Sequence, residues 1–299
     1  MTRRLIVTGC GGFVAGSIVS QAGPEWDVHA LTRGEPLLKR DGLTWHRVDL
    51  CDSASLWTIF RRIRPDVVIH AAAIADIDYC ENHPDIAELV NVDVTRSLVL
   101  FSRQVGARMV YISTDTVFDG KSGMYREEDP PRPVNVYAET KLRAENIVLG
   151  ELEAAVVARL SLVVGMPILG SGNSFLARML PALREGREVS VPAREMRTPI
   201  DVITVGRALL ELAEGSYAGY IHLAGNDRLS RCSMVRRIAA RLGCPETLVM
   251  PRESESLPGR APRPHDVSLD NARARATLRT PMLGLDDALE LILQAGKGV

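Results

Sequence analysis

The chain has 299 residues, 46% of them hydrophobic and 24% charged, and its 36 Lys and Arg against 37 Asp and Glu leave a net charge of −1. That near balance removes the long-range attraction that a nucleic-acid or anionic-membrane binder carries, and the composition is neither disordered nor fibrous. No run of about 18 apolar residues is present to span a bilayer. The opening MTRRLIVTGCGG turns to glycine after one short apolar run, without the apolar core of a signal peptide. Cys10, Cys51, Cys80, Cys232 and Cys244 are scattered with no Cys-x-x-Cys, and the six histidines show no ligand spacing. The expectation is a cytoplasmic protein with no disulfide and no metal.

Along the first 160 residues, short apolar runs alternate with amphipathic segments. Strands are predicted at Leu5–Thr8, Val28–Thr32, Trp45–Val48, Val67–Ala71, Met109–Ser113 and Val156–Leu160, mostly β-branched and apolar on both sides. Helices are predicted at Ala54–Arg62, Ile86–Val105 and Val136–Leu149. This alternation implies an α/β fold, a doubly wound parallel (Rossmann) sheet with helices on both faces and ligands beyond the strands' carboxyl ends. After about residue 165 Pro and Gly become frequent. There Ser174–Gly186 and Ser233–Leu242 read as helices, and Met250–Pro264 reads as a loop wrapping a pocket. Thr198–Ile200, Asp201–Ala213 and Tyr220–Ala224 are expected to return to the sheet, and Leu285–Leu293 to close the chain as a helix. Residues 1–164 are thus expected to form a dinucleotide-binding domain, rejoined by 199–224, with 165–299 mainly a smaller substrate-binding lobe.

The first strand runs into Gly9-Cys10-Gly11-Gly12-Phe13-Val14-Ala15-Gly16. A glycine turn from strand to helix lets backbone N–H groups approach a pyrophosphate at the helix N-terminus. The second strand ends at Leu31-Thr32-Arg33, where an acid would accept from a free ribose. Arg33 instead offers a guanidinium to a 2′-phosphate, so the expected cofactor is NADP(H) rather than NAD. Asp49 and Leu50, ending the third strand, are placed for the adenine, and Ala71, Ala72 and Ala73 follow the fourth. Tyr137 and Lys141 lie four residues apart on one helix face, an arrangement in which the ammonium would lower the phenol's pKa. Ser113-Thr114-Asp115 ends the fifth strand at the ligand-binding edge, 23 residues before Tyr137. A hydroxyl there could hold a reacting oxygen beside the phenol. Arg260 and Arg263, in the Pro258–Pro264 loop, suit a diphosphate.

Seven stretches carry a resemblance across nearly the whole chain: TGCGGFVAG, DVVIHAAA, LVNVD, YISTDTVFDG, PRPVNVYAETKLRAE, GYIHLAGNDRLSR and PRPHDVSLD. With them the chain resembles the extended short-chain dehydrogenases/reductases, in the dTDP-4-dehydrorhamnose reductase-like branch. The resemblance implies Thr114, Tyr137 and Lys141 as the catalytic triad. It implies a cofactor lining of Gly9, Gly11, Gly12, Phe13, Val14, Arg33, Asp49, Leu50, Ala71 to Ala73, Asn91 and Val163, to which Thr32, Ser113, Tyr137 and Lys141 are added. Asn173 stands at a family position near the substrate. The implied reaction is NADPH-dependent reduction of a keto group at C4 of a nucleotide-linked deoxysugar, with Tyr137 as proton donor and a homodimer as the assembly the family allows. Two departures stand out. Leu162 replaces a Trp that family reductases place against the nucleotide-sugar. The stretch YREEDPPRPVNVYAETKL also resembles the regulatory β-subunit of methionine adenosyltransferase, which would make the chain an NADP-binding subunit acting on a protein partner. Within enzymes, a nucleotide-sugar epimerase and a reductase of a non-sugar ketone stay open beside the keto-sugar reductase. A 4,6-dehydratase is disfavoured because Thr116 follows Thr114-Asp115 where that reaction has Glu.

Overall fold

Runs such as Leu5–Val7 and Val67–Ile69 expose almost nothing, because strands inside a parallel sheet are covered on both faces. The computed structural model describes residues 2–170, 174–253 and 260–296. From the N-terminus it runs β1 (Arg3–Thr8), α1 (Phe13–Gln21), β2 (Trp26–Thr32), β3 (Leu43–Arg47), α2 (Ser53–Ile63) and β4 (Val67–His70). Then come α3 (Ile77–Asn82), α4 (Pro84–Glu88), a π-helical turn (Leu89–Asp93), α5 (Val94–Val105), β5 (Arg108–Thr114), α6 (Val136–Glu151), β6 (Ala155–Leu160) and β7 (Val163–Val164). The remainder is α7 (Phe175–Arg184), β8 (Val189–Pro192), β9 (Met196–Arg197), β10 (Ile200–Asp201), α8 (Val202–Glu214), β11 (Gly219–Leu223), β12 (Leu229–Ser230), α9 (Arg231–Arg241), β13 (Val249–Arg252), α10 (Ala272–Thr277) and α11 (Leu285–Gly296).

Seven strands form one parallel sheet in the order β11-β6-β5-β4-β1-β2-β3. Side chains alternate between its faces. Leu5, Val7, Val67 and Ile69 pack with Ile18 of α1 and Val205 and Leu209 of α8. Ile6, Val68, Tyr111 and Val157 pack with Phe60 of α2, Leu98 of α5 and Val148 of α6. Burying each such side chain contributes about 1.5–3 kcal/mol. The strand order reverses between β1 and β4, which opens a crevice at their carboxyl ends. A further cluster, including Phe175, Leu176, Val189, Val235, Ile238 and Leu289, holds the C-terminal segments together.

The doubly wound sheet is as expected, and β11 returns to its edge beside β6. Several boundaries differ. The third strand is centred earlier than Trp45–Val48, because Leu43 to Arg47 pair in register with Val28 to Thr32. The helix expected over Ile86–Val105 starts two residues earlier, at Pro84, and carries the π turn between α4 and α5 without a break in helical backbone. Ile200–Asp201 pairs with β7 instead of the large sheet, since Asp201 serves as N-cap of α8 through Thr204 N–H at 2.7 Å. Part of the expected Met250–Pro264 loop is a strand, with β13 pairing in parallel with β8 from Val249–Val189 to Arg252–Pro192.

Candidate active site

The crevice is built by backbone contacts before any side chain enters it. Gly9 has φ +71°, and a Cβ there would lie 2.8 Å from Ala72 Cα. Only glycine lets the loops after β1 and β4 touch in this way. Gly12 caps α1 with no side-chain hydrogen bond, so the first N–H groups of α1, at its positive end, remain for an anion. The Ala71–Ala73 wall is tied down by a directed chain of hydrogen bonds. The Thr8 hydroxyl accepts from Ala71 N–H and Ala72 N–H at 3.1 and 3.2 Å, and so gives its own proton to His70 Nδ1 at 2.8 Å. His70 Nε2 then donates to Thr95 at 3.1 Å, and Thr95 donates to the Asn91 carbonyl at 2.7 Å. Burial, with Lys141 beside it, pushes the His70 imidazole down to about 3, which keeps it the neutral link this chain needs.

These elements enclose a cavity of about 680 Å³ whose lining includes Gly9, Gly11, Gly12, Thr32, Arg33, Asp49, Leu50, Ala71, Ala72 and Ala73. The volume lies in the range of cofactor clefts. A glycine cradle, an uncapped helix N-terminus and an exposed guanidinium at Arg33 suit a dinucleotide carrying a 2′-phosphate. Tyr79, Ile86 and Val90 also line it. Sequence reading missed them; Tyr79 and Ile86 are large apolar groups left 40% and 41% exposed at the cleft.

Other residues expected at the cofactor also make contacts within the protein. Phe13 packs on Val202 and Ile203, joined by Val163, which pairs with Ile200; both are committed to the seam between α1 and α8. Val14 packs against the main core. Ser113 is 4% exposed and its hydroxyl donates to Glu145. Asn91 is buried as a brace. Its Oδ1 accepts from Ile74 N–H at 2.8 Å, while Nδ2 donates to the Ile74 carbonyl and to the Thr140 hydroxyl, both at 3.1 Å. One side chain thus latches the cavity wall to the helix that carries Tyr137 and Lys141.

That helix, α6, starts at Asn135, whose Oδ1 accepts from Ala138 N–H at 2.9 Å and whose Nδ2 donates to the Pro262 carbonyl at 3.0 Å. Tyr137 and Lys141 follow on one face, 8% and 3% exposed, and Thr114 ends β5 at 9%. Thr114 is near enough to the Tyr137 phenol to favour its ionised form. The expected lowering of the phenol by Lys141 is not what the structure presents. Burial pushes the phenol well up, and Thr114 only partly offsets this. The reason is where the ammonium points: Lys141 Nζ donates to the Ile112 carbonyl at 2.7 Å and lies 4.1 Å from the centre of the Tyr111 ring. Burial lowers Lys141 to about 7, against the charge of Glu145 one turn on.

Beyond Thr114 lies a cluster that sequence reading did not assemble. Glu195, 2% exposed, faces Arg260 at 2.9 Å, Arg231 at 3.5 Å and Arg197 at 3.6 Å. Arg260 is therefore engaged with a carboxylate, and Arg263 with Asp78 at 2.9 Å. Arg231 and Arg260 also line a second cavity of about 220 Å³ with Ser190 and Arg252. Leu162 is half-buried against the C-terminal cluster. Asn173 lies outside the described residues. Among the described residues no cluster of His, Cys, Asp and Glu could hold a metal, and no helix is long and apolar enough to cross a membrane.

The chain is similar to known proteins over nearly its whole length. Residues 3–297 match the model described as RmlD substrate binding domain. The chain is 32% identical over 297 residues to methionine adenosyltransferase 2 subunit beta of Bos taurus, covering 96% of this chain and 87% of that one. It is 31% identical over 301 residues to dTDP-4-dehydrorhamnose reductase of Mycobacterium tuberculosis, covering 98% and 93%. A crystal structure of dTDP-4-dehydrorhamnose reductase from Bacillus anthracis in complex with NADP superposes with a TM-score of 0.87 at 26% identity, covering 98% of this chain and 99% of that one.

Proposed function

The chain belongs to the RmlD substrate binding domain family, and on that premise we propose that it is an NADPH-dependent reductase of a keto group at C4 of a nucleotide-linked deoxysugar. The observation that carries the reading is the dinucleotide-sized cleft with Arg33 at its rim, in a sheet whose β5 ends at Thr114 and whose α6 bears Tyr137 and Lys141 on one face. The bound NADP(H) of a relative supports the cofactor. Gly9, Gly11, Gly12 and Ala71 to Ala73 would hold the diphosphate and the middle of the cofactor, and Thr32 and Arg33 its 2′-phosphate. When bound, NADPH supplies the hydride.

The rest is done by this chain. Tyr137 gives its proton to the carbonyl oxygen. Its raised pKa suits a group that must stay protonated until the oxygen becomes basic. Thr114, beside it, orients the same oxygen. Lys141, charged when protonated, favours the phenolate that remains after transfer, once its ammonium can reach the site. Arg260 and Arg263 bind the substrate diphosphate, Arg260 exchanging part of its contact with Glu195 for phosphate oxygens.

The test is a panel of 4-keto sugar nucleotides scored by loss of NADPH absorbance, run with the native chain and Tyr137→Phe. Turnover of one panel member should fall by about two decades or more in the variant, while NADPH affinity changes little. The similarity to a methionine adenosyltransferase subunit supports a second reading, a regulatory NADP-binding subunit. That reading wins if no keto-sugar is reduced, a partner enzyme's activity rises when the chain is added, and Tyr137→Phe raises it equally.

A further inference from the structure

Asp115 stands between the catalytic hydroxyl and the arginine cluster. Its Oδ1 accepts from the Thr114 hydroxyl at 3.3 Å, while Oδ2 lies 3.4 Å from the Ser161 hydroxyl and 3.7 Å from Arg197 Nε. Arg197 is shared with Glu195, and Glu195 with Arg231 and Arg260. Its inner part is enclosed: Asp115 is 5% exposed and Arg197 6%. A path of one hydrogen bond and then ion pairs therefore runs from Thr114 to the second cavity.

We propose that Asp115 is a positioning residue that takes up a proton when an anion occupies the arginine cluster, releasing the Thr114 hydroxyl to the reacting oxygen. This rests on the reading of those arginines as the seat of a nucleotide diphosphate.

The Thr114 oxygen has one proton and two lone pairs, and one lone pair takes Thr116 N–H at 3.2 Å. An ionised Asp115 can only accept, so it draws the Thr114 proton to itself. Ser161 accepts from Thr198 N–H and faces the Thr198 hydroxyl, leaving its own proton for Asp115 Oδ2. With Arg197 on that side too, a proton arriving at Asp115 settles on Oδ1 and is donated into the second lone pair of Thr114. The Thr114 proton must then turn to the Thr116 hydroxyl, 3.0 Å away, or to an oxygen beside Tyr137. The charged and titratable groups around Asp115 are Tyr137 of α6, Arg197 of β9 and Arg231 of α9, with Glu195 behind them. Burial raises Asp115 to about 6, and Arg197 opposes this. An anion that claims the arginines adds negative charge and weakens that opposition, so protonation rises.

The probe is dTDP, titrated calorimetrically at pH 7 in buffers of different ionisation enthalpy, into the native chain and Asp115→Asn. Because Asp115 is about one-tenth protonated at pH 7 when its pKa is about 6, native binding should take up several tenths of a proton more than binding to the variant. In the native chain alone, uptake should shrink as the pH is lowered below 6, a readout that survives if the variant does not fold. With the reduced keto-sugar, Asp115→Asn should lower kcat more than it changes KM. Equal uptake by the two proteins, or native uptake that does not diminish at low pH, would overturn the coupling while leaving the diphosphate site standing. No binding of dTDP to either protein would overturn both.

Discussion

Replacing Glu145 by Gln removes one charge and almost no volume from the most enclosed ion pair among the described residues. Arg159 Nη2 and Nε lie 2.8 and 3.0 Å from the Glu145 carboxylate, and the two side chains are 1% and 0% exposed. The guanidinium is otherwise walled by the rings of Tyr220 at 4.2 Å and Phe118 at 5.1 Å, and its Nη1 has no hydrogen-bond partner. Water cannot replace the lost carboxylate, so the cost is that of an uncompensated buried cation, about 3–5 kcal/mol. An unfolding entropy of about 2.1 cal/mol/K per residue, over 299 residues, is about 0.6 kcal/mol/K. The melting midpoint should therefore drop by about 5–8 °C, read by calorimetry or circular dichroism without cofactor. The double variant Glu145→Leu/Arg159→Met should recover most of that loss, because no charge is then stranded. Glu145 also supports the charge on Lys141, so the Gln variant should move the titration of Lys141 further below about 7. A single variant that melts within about 1 °C of the native chain, or a double variant less stable than the single, would refute the reasoning.

Arg33→Ala should erase most of a preference for NADPH over NADH worth about 1.5–3 kcal/mol, roughly one to two decades in affinity by fluorescence titration; equal affinities in the native chain would remove Arg33 from the site. Gly9→Ala should weaken NADPH binding by at least about tenfold, since φ +71° and the 2.8 Å approach to Ala72 force the two loops apart; unchanged binding would show that the loops do not set the cradle. Lys141, lowered to about 7 in the native state, binds less proton than the unfolded chain from about pH 7 to 10.5. Native stability measured by denaturant should accordingly gain over that window relative to Lys141→Met, and a parallel pair of curves would refute the shift. In activity, kcat/KM should decline above about pH 7 as the ammonium is lost.

The parts legible in the sequence are those that local chemistry dictates. β-branched runs buried on both sides announce the strands of the large sheet, and a glycine turn after the first of them marks the crevice. Tyr137 and Lys141 share a face at helical spacing in any context, but where their polar ends point depends on β5, whose Ile112 carbonyl captures the ammonium. The Glu195 cluster draws on positions 195, 197, 231 and 260, which no spacing rule connects. β13 reads as loop because proline and exposed charge mask a strand whose pairing partner lies 60 residues earlier in the register Val249–Val189. Asn91 is a lining residue only as the resemblance implies. That it braces Ile74 to Thr140 depends on a turn that carries one residue more than an α-helix does.

That turn, Leu89–Asp93, acts on the chain as a change of phase. One surplus residue rotates everything upstream by about 100° against everything downstream. Because of the offset, Ile86 looks into the cleft while Leu98 and Val99 sink into the sheet. Deleting a single residue there would mend the helix and, by hydrogen-bond count, improve it. It would also swing Asn91 off both Ile74 and Thr140, leaving the cofactor wall and α6 free to drift apart. The segment is thus one in which a local gain in regularity should appear as a loss of alignment between cofactor and phenol, and changes of length there will be felt far more than changes of side chain at its exposed Leu89.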